Sequence, residues 1–326
     1  MDPLDILIRH RGVMDGVAHP DNELVRILRE VPDDPTRRRA AWEARMTIGS
    51  ELARDWPRDR QPAPLPSEID ALAQASEASY GPIKADLDQR KQVQFGITAT
   101  ELAPWHYDDP FLKEAPADLR LNCDRFFVQA DIEGLARRTL AERGFDIEPL
   151  LATSDLYERP NKLQEAWWDG QTVLASIRPD QRWMRKILWV FAVAVGQPVL
   201  GTLLTRLPDD PNWLIDSVGV LADTVDPLRD QLAARRRERL LLRVRWGLVL
   251  THFEQALYGG AENLVDVWWD LRERYQQISR PPGRKDSDWA AVPELVLAPG
   301  QAHHALLDEL SASALAGEDL LDELRL

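Results

Sequence analysis

Arg182-Trp-Met-Arg-Lys-Ile-Leu-Trp-Val-Phe-Ala-Val-Ala-Val-Gly196 is the stretch of sequence that decides the fold. From Ile187 to Val195 it contains no side chain that ionises or carries an oxygen atom. A helix that is apolar on every side has no face for solvent, so it must be buried in a large protein core or in lipid. We therefore expect the rest of the chain to pack around this helix.

A membrane location for this helix is the less favoured alternative. Residues 187–205 carry no charge, and a membrane span needs about 20 mainly apolar residues. However, Pro198 lies near the middle of that run and would break the helix there. A buried core helix followed by a bend fits the sequence better, and membrane association through 187–205 is kept only as an alternative.

Composition and charge argue against nucleic acid and membrane surfaces as partners. The 326 residues are 44% hydrophobic, which is enough for a sizeable core, and the formal net charge is −14. A chain this acidic is repelled by phosphate backbones and by anionic lipids. Two arginine clusters, Arg37–Arg39 and Arg235–Arg245, alternate with acids and leucines at helical spacing. We interpret both as solvated helix faces.

Cysteine usage and the first residues predict a cytoplasmic protein. Cys123 is the only cysteine, so no disulfide can form within the chain, as is usual for proteins of a reducing compartment. The segment after Met1 has acidic residues where an export signal needs basic ones.

Apolar spacing predicts a mainly helical chain, organised as a single domain over 1–326. Residues 57–66 hold four prolines and are expected to form a linker, after which Ser67 is expected to cap the next helix. Pro104 and Pro110 are expected to prevent a regular element between them. One small β-hairpin is predicted near 165–177, because Asp169-Gly170 suits a type I′ turn. Helices are predicted over 22–29, 36–53, 68–94, 131–143, 212–225, 226–258, 261–278 and from 301 almost to the C-terminus.

Short motifs along most of the chain occur in an order that points to one family. They are Leu102-Ala-Pro-Trp-His-Tyr-Asp-Asp-Pro-Phe111, Glu114-Ala-Pro116, Ser154-Asp-Leu-Tyr-Glu-Arg159, Gln181-Arg-Trp-Met184, Thr251-His-Phe-Glu-Gln-Ala-Leu-Tyr258, Trp268-Trp-Asp-Leu-Arg-Glu-Arg-Tyr275, Asp288-Trp-Ala-Ala291, Ala298-Pro299 and Leu306-Leu-Asp-Glu-Leu-Ser-Ala-Ser313. This order resembles the helical zinc peptidases of the oligopeptidase and peptidyl-dipeptidase type, which include angiotensin-converting enzyme. The resemblance implies an all-α fold with two lobes around a cleft, and a catalytic core over 154–316.

In that family, Arg-Trp-Met leads into the zinc motif His-Glu-x-x-His. The same register places Trp189 and Val193 at the two histidines and Val190 at the glutamate. Positions i and i+4 share one helix face, so the motif can present two imidazoles to one zinc ion beside a carboxylate that activates water. Indole and isopropyl groups can do neither, so the resemblance implies a zinc site that has been lost.

The other catalytic positions have changed in the same direction. The third zinc ligand, a glutamate in the family, corresponds to Asp216, and a lone carboxylate cannot hold catalytic zinc, which uses three protein ligands. The tyrosine pair that follows Ala-Pro corresponds to Gln301 and Ala302, and a preceding histidine corresponds to Glu294. We therefore expect no catalytic residue, no metal ligand and no cofactor.

Three histidines are the residual polar groups expected near the old cleft. His303 and His304 precede Asp308 and Glu309, but adjacent histidines on a helix should point to different faces. A polar helix start is therefore favoured over a metal site. His106 is counted with them, although it lies in a framework motif and more often such a histidine is structural.

The sequence thus predicts a catalytically inactive, metallopeptidase-like protein that binds a peptide or regulates a protein partner, including an intact peptidase. The alternative is an enzyme that has recruited different chemistry in the old cleft, with Asp216, Glu294, His303 and His304 as the available groups. The tryptophans fall mostly in apolar helical stripes, which favours core packing over an aromatic ligand site.

Overall fold

The computed structural model describes residues 35–107, 202–203, 206–216, 219–292, 294–295 and 299–325, together with Val199. This part of the chain is mostly helical, and no strand occurs within it, which agrees with the all-α prediction. The apolar helix of 182–196 and the hairpin predicted near 165–177 lie outside the described residues. The helices predicted over 22–29 and 131–143 lie outside them as well.

Eight α-helices have both of their ends within the described part: α1 Pro35–Arg54, α2 Ile69–Phe95, α3 Pro211–Asp216, α4 Ala222–Val225, α5 Arg229–Tyr258, α6 Leu264–Gln276, α7 His304–Leu315 and α8 Leu320–Arg325. Short 3₁₀ helices lie between them, over Ala99–Glu101, Pro104–Tyr107, Leu207–Asp209, Asp226–Leu228 and Trp289–Ala291. The longest elements, α2 and α5, have 27 and 30 residues. Residues 57–66 contain no helix.

The chain divides into two compact units, and α5 and α7 have residues in both. The first unit is Met1–Phe111, Arg239–Leu307 and Asp319–Leu326, and the second is Leu112–Glu238 and Asp308–Glu318. In the first unit, α8 packs against α2, and α1 packs against both Pro104–Tyr107 and Trp289–Ala291. The organisation as one domain over 1–326 stays a prediction.

Glycines in the left-handed conformation explain two corrections to the predicted helices. The helix predicted over 212–225 is two helices, α3 and α4, because the intervening Gly219 has φ 76°. The helix predicted from Gln301 to the C-terminus is likewise divided, since Gly317 has φ 75° between α7 and α8. Left-handed backbone cannot continue an α-helix, and glycine adopts it without steric cost.

Two further predictions about local structure were wrong. Pro104 does not prevent regular structure, because it occupies the first position of the 3₁₀ helix Pro104–Tyr107, where its missing N–H would have no helical partner anyway. Ser67 is not the cap of α2, since the cap position is Glu68 and no side chain there accepts a hydrogen bond.

Tryptophan side chains form much of the core of the first unit. Trp268 is fully buried, and its ring lies 5.0 Å from the ring of Phe253 in an edge-to-face arrangement. Phe253 in turn lies 5.2 Å from Trp289, which meets the edge of Trp56 at 5.2 Å. These four aromatic residues come from α5, α6, the 3₁₀ helix Trp289–Ala291 and the irregular segment after α1, so large aromatic contacts join elements that are distant in sequence.

A buried lysine joins α2 to the 3₁₀ helix Pro104–Tyr107. Lys84 Nζ donates to both carboxylate oxygens of Asp88, at 2.6 and 2.8 Å, and to Tyr107 Oη at 3.1 Å. The Tyr107 hydroxyl donates to Asp88 at 2.6 Å. Burial lowers the pKa of Lys84, and its bond with Asp88 acts in the opposite direction. The three groups satisfy one another, which is what a buried charge requires.

The interpretation of Arg235–Arg245 as a solvated face is wrong for both of its ends. Arg235 is 4% exposed, and its Nε lies 3.0 Å from Asp209 Oδ1 in the second unit. Arg245 is fully buried in the first unit, where its Nη1 meets Glu77. Buried arginine is tolerated here because carboxylate partners offset the cost of removing the charge from water.

The C-terminus of α6 is capped by side chains from two other helices. Arg245 donates from Nη2 to the carbonyl of Arg274 at 3.0 Å and from Nε to the carbonyl of Tyr275. The Tyr80 hydroxyl donates to the carbonyl of Gln276 at 2.9 Å. The last carbonyls of a helix have no partner within it, so these bonds supply what α6 itself cannot. The positive guanidinium also suits the negative end of the helix dipole.

Gln277, which follows α6, has φ 52° and is the one non-glycine residue with a positive φ among those described. Replacing Gln277 by glycine should raise the free energy of unfolding by about 0.5–1 kcal/mol, because the left-handed strain of a side chain exceeds the extra chain entropy of glycine. The Gln277 side chain is exposed, so little packing is lost. Urea denaturation measures the change.

The matched control is Gly96→Ala, which places a side chain on a left-handed residue at the C-cap of α2, where φ is 63°. It should destabilise the protein by about 1 kcal/mol or more. If both substitutions moved the stability in the same direction, left-handed strain would not explain the behaviour of Gln277.

Among the helices that the structure describes, none combines the length and the apolar composition that crossing a membrane requires. Most of the run 187–205 lies outside the described residues.

Candidate functional site

The candidate positions are those that the resemblance assigns to catalysis and the three histidines expected near the old cleft. Trp189, Val190 and Val193 lie outside the described residues. Asp216 is the exposed last residue of α3, in the second unit. The remaining positions belong to the first unit: Glu294, Gln301, Ala302, His303, His304 and His106. Four of these are consecutive residues that lead into α7, which begins at His304.

The turn Pro299–Ala302, which precedes α7, is fixed by one buried carboxylate. Glu254 of α5 accepts the backbone N–H of Gly300 at 2.6 Å on one oxygen, and that of Ala302 at 2.8 Å on the other. The glutamate is 4% exposed. Gly300 has φ 84°, a conformation that allows successive N–H groups to converge on one anion.

Two more contacts hold the same region. Arg60 Nη1 donates to the carbonyl of Pro299 at 3.3 Å, and Gln255 Nε2 donates to the carbonyl of Ala63. Both contacts involve the irregular segment that joins α1 and α2. The turn is therefore attached to α5 and to this segment, as well as to the helix that follows it.

Opposing effects act on the charge of Glu254. Burial raises the pKa of its carboxyl group, while the backbone N–H groups of Ala302, Gly300 and Gln301 and the nearby Arg60 act in the opposite direction. A carboxylate that accepts several N–H bonds is stabilised in its charged form. The turn thus supplies the interactions that offset the cost of burying Glu254.

The last two side chains of this turn differ from the tyrosine pair that the resemblance assigns to these positions. Gln301 is exposed and offers a neutral amide, and Ala302 is 3% exposed and buries its methyl group. Neither can donate a phenolic hydroxyl to a developing oxyanion, which is the role that the resemblance gives to the tyrosine pair. The turn can present an amide to a ligand, but these two side chains offer no hydroxyl.

His303 and His304 lie side by side, contrary to the expectation that they point to different faces. Their ring centroids are 4.4 Å apart. The difference arises because α7 begins at His304, so helical geometry does not govern the pair. His303 is partly buried, and burial first, then His304, lowers the pKa of its imidazole.

The other two predicted polar positions have structural contacts. Glu294 is exposed and accepts the indole N–H of Trp246 at 2.9 Å. His106 is 4% exposed, and its Nδ1 accepts the backbone N–H of Ala103 at 3.0 Å. Its ring centroid lies 5.0 Å from that of Phe95. His106 is therefore part of the packing of its 3₁₀ helix against α2.

Among the residues that the structure describes, no group of three or more His, Cys, Asp or Glu side chains is arranged to hold a metal ion. His304 and Asp308 are four residues apart on α7, but no third ligand joins them among those residues. Catalytic zinc normally has three protein ligands.

Glu254 is the site residue that the sequence analysis did not single out. It lies inside the motif Thr251–Tyr258, and its neighbours Leu250, Phe253 and Leu257 are all buried. A glutamate among apolar residues at helical spacing indicates a buried carboxylate, which needs a hydrogen-bonding partner. That signal was present in the sequence, but nothing in it identified the turn 46 residues later as the partner.

Replacing Glu254 by glutamine should lower the free energy of unfolding by about 1–3 kcal/mol, the usual cost of leaving a buried polar group unpaired. Glutamine can accept from only one of the two N–H groups, and its amide would point N–H toward the other. Glu262→Gln, at an exposed position just after the same helix, should change stability by less than about 0.5 kcal/mol. Equal effects of the two variants in chemical denaturation would show that the turn does not depend on Glu254.

No known family, no curated protein and no solved structure matches this chain, so its relationship to the helical zinc peptidases remains a resemblance of motifs.

Proposed function

We propose that this chain is a degenerate homologue of the helical zinc peptidases, which binds a peptide or a protein segment without hydrolysing it. The observation that carries the proposal is the turn Pro299–Ala302. Glu254, inside the motif Thr251–Tyr258, holds the turn's backbone with two hydrogen bonds. Gln301 and Ala302 stand where catalysis would need proton donors. A scaffold that is kept while its reactive groups are lost is typical of a binding role.

We propose that the other structural features implied by the resemblance also hold for this chain. The chain would form two lobes around a cleft, with the hairpin near 165–177 beside the core 154–316. Its partner would be a peptide or a protein in the cytoplasm, including an intact peptidase. Nucleic acid is not among the proposed partners, since the net charge of −14 opposes it.

The absence of hydrolysis is tested with quenched fluorescent peptides of mixed sequence. Purified protein should not cleave them, with or without added zinc, and a chelator should change nothing. Losing the two histidines and the glutamate removes both the metal and the base that activates water. Cleavage that a chelator abolishes and zinc restores would refute the proposal.

The binding half of the proposal is tested separately. Fluorescein-labelled nonapeptides of mixed sequence should bind saturably in fluorescence anisotropy. Gln301→Ala should weaken binding several-fold, because one ligand hydrogen bond contributes about 0.5–1.5 kcal/mol. The control is Gln61→Ala, at another exposed glutamine. Absence of saturable binding, or equal weakening by both substitutions, would count against a peptide site at the turn.

Recruited chemistry is the second candidate, and His303 is the observation in its favour. Its Nδ1 is buried and has no hydrogen-bond partner in the described residues, and its pKa is lowered by burial. A neutral imidazole can act as a general base. A turnover screen with activated esters should then separate wild type from His303→Ala, and identical rates would end this candidate. Membrane association through 187–205 is the remaining alternative.

A further inference from the structure

Arg245 is held in place by more contacts than its ion pair requires. Its guanidinium lies 4.5 Å from the ring centroid of Tyr80 and 5.6 Å from that of Tyr275. Two of its three nitrogens donate to backbone carbonyls at the end of α6. The guanidinium is therefore preorganised, and one nitrogen, Nη1, remains for another partner.

That partner is a surface carboxylate. Glu77 Oε2 lies 2.5 Å from Nη1, and Ser76 Oγ lies at 3.5 Å. The Glu77 side chain is 63% exposed, whereas the Arg245 side chain is 0% exposed. The Glu77 carboxylate thus reaches from solvent to the edge of a fully buried cation. Because the Glu77 side chain is mostly in water, it can rotate away and water can take its place at Nη1, while the two carbonyls still hold Arg245.

We propose that the Nη1 edge of Arg245 is a binding site for an organic monocarboxylate, which takes the place of the Glu77 carboxylate. The Nη1 edge already binds the carboxylate of Glu77, and a ligand of the same shape and charge would accept the same hydrogen bond. A phosphate dianion fits less well, because only one guanidinium nitrogen, Nη1, is directed at the Glu77 carboxylate. The other two are engaged by carbonyls.

In this arrangement Glu77 acts as a tethered competitor. A group attached to the protein has an effective concentration of the order of millimolar or above, so a small carboxylate binds the wild-type protein weakly. A larger ligand with further contacts would compete better. Removing the Glu77 side chain should expose the site to small carboxylates while leaving Arg245 fixed by its carbonyls and rings.

The test compares Glu77→Ala with wild type and with Glu51→Ala, a control at another exposed helical glutamate. The melting temperature is followed against sodium acetate, with acetamide as a neutral ligand of the same shape and sodium chloride at equal ionic strength. A ligand that binds only the folded state raises its stability in a saturable way. We expect acetate to stabilise Glu77→Ala at concentrations at least about tenfold lower than it stabilises the other two proteins.

Acetamide and chloride should not reproduce the effect in Glu77→Ala. The proposal is overturned if acetate shifts all three proteins equally, or if chloride does as well as acetate in Glu77→Ala. This test uses no peptide and no turnover. Its failure would therefore leave the proposed peptide binding at Pro299–Ala302 untouched, and the reverse also holds.

Discussion

Replacing Arg245 by methionine is expected to lower the free energy of unfolding by about 3–5 kcal/mol. Methionine can fill part of the space between Tyr80 and Tyr275, but it cannot donate to the carbonyls at the end of α6. Each buried carbonyl left without a partner costs about 1–3 kcal/mol. The loss of the two cation–π contacts adds to this cost. Urea denaturation, followed by circular dichroism, measures the change.

The control for this prediction is Glu77→Gln, which removes the charge of the ion-pair partner and keeps its shape. It should lower the free energy of unfolding by less than about 1 kcal/mol, because the glutamine amide oxygen can still accept from Arg245 Nη1 and this side chain is mostly exposed. A loss below about 1 kcal/mol for Arg245→Met would contradict the view that Arg245 caps α6. Similar losses for the two variants would assign the effect to the ion pair instead.

Trp268→Ala is expected to lower the free energy of unfolding by about 3–5 kcal/mol, the range for removing a large side chain from a well-packed core. Trp268 is fully buried against Phe253, and its indole N–H donates to Asp288 Oδ1 at 3.2 Å. Asp288 is itself only 2% exposed. The substitution therefore leaves both a cavity and a buried carboxylate with one donor fewer.

Trp268→Phe separates these two contributions, because phenylalanine keeps most of the volume and loses the N–H. We expect it to lower the free energy of unfolding by about 1–3 kcal/mol, the usual penalty for a buried polar group that loses a hydrogen bond. If the alanine variant cost no more than the phenylalanine variant in urea denaturation, aromatic packing would not be what stabilises this part of the first unit.

The sequence predicted helices well where the apolar spacing is long and regular. The predicted helix over 36–53 is α1, Pro35–Arg54, and the prediction over 68–94 is α2, Ile69–Phe95. Helix ends were predicted less well. Gly219 and Gly317 interrupt helices because they adopt positive φ, and a glycine in a sequence does not reveal which conformation its surroundings select.

The candidate site was predictable only in part, because its important contacts join residues far apart in sequence. Spacing could indicate that Glu254 is buried, but its partners at Gly300 and Ala302 depend on how α5 lies against the start of α7. Arg245 was predicted to be solvated but is buried, for the same reason. An arginine among charged residues is usually solvated. The carbonyl groups that Arg245 binds belong to α6, and their position depends on how α6 packs against α5.

The central claim, that residues 182–196 are a former zinc helix in the stated register, is tested by restoring the ligands. The variant carries Trp189→His, Val190→Glu, Val193→His and Asp216→Glu. The control carries Asp216→Glu with the same motif moved one residue along, as Val190→His, Phe191→Glu and Ala194→His. Circular dichroism establishes that both variants are folded, and native mass spectrometry with added zinc then measures bound metal.

We predict about one zinc ion per chain for the restored variant, because two histidines and a glutamate complete a catalytic ligand set, and none for the wild type or the control. A folded restored variant that binds no more zinc than the control would contradict the register, and with it the proposed descent from a zinc peptidase.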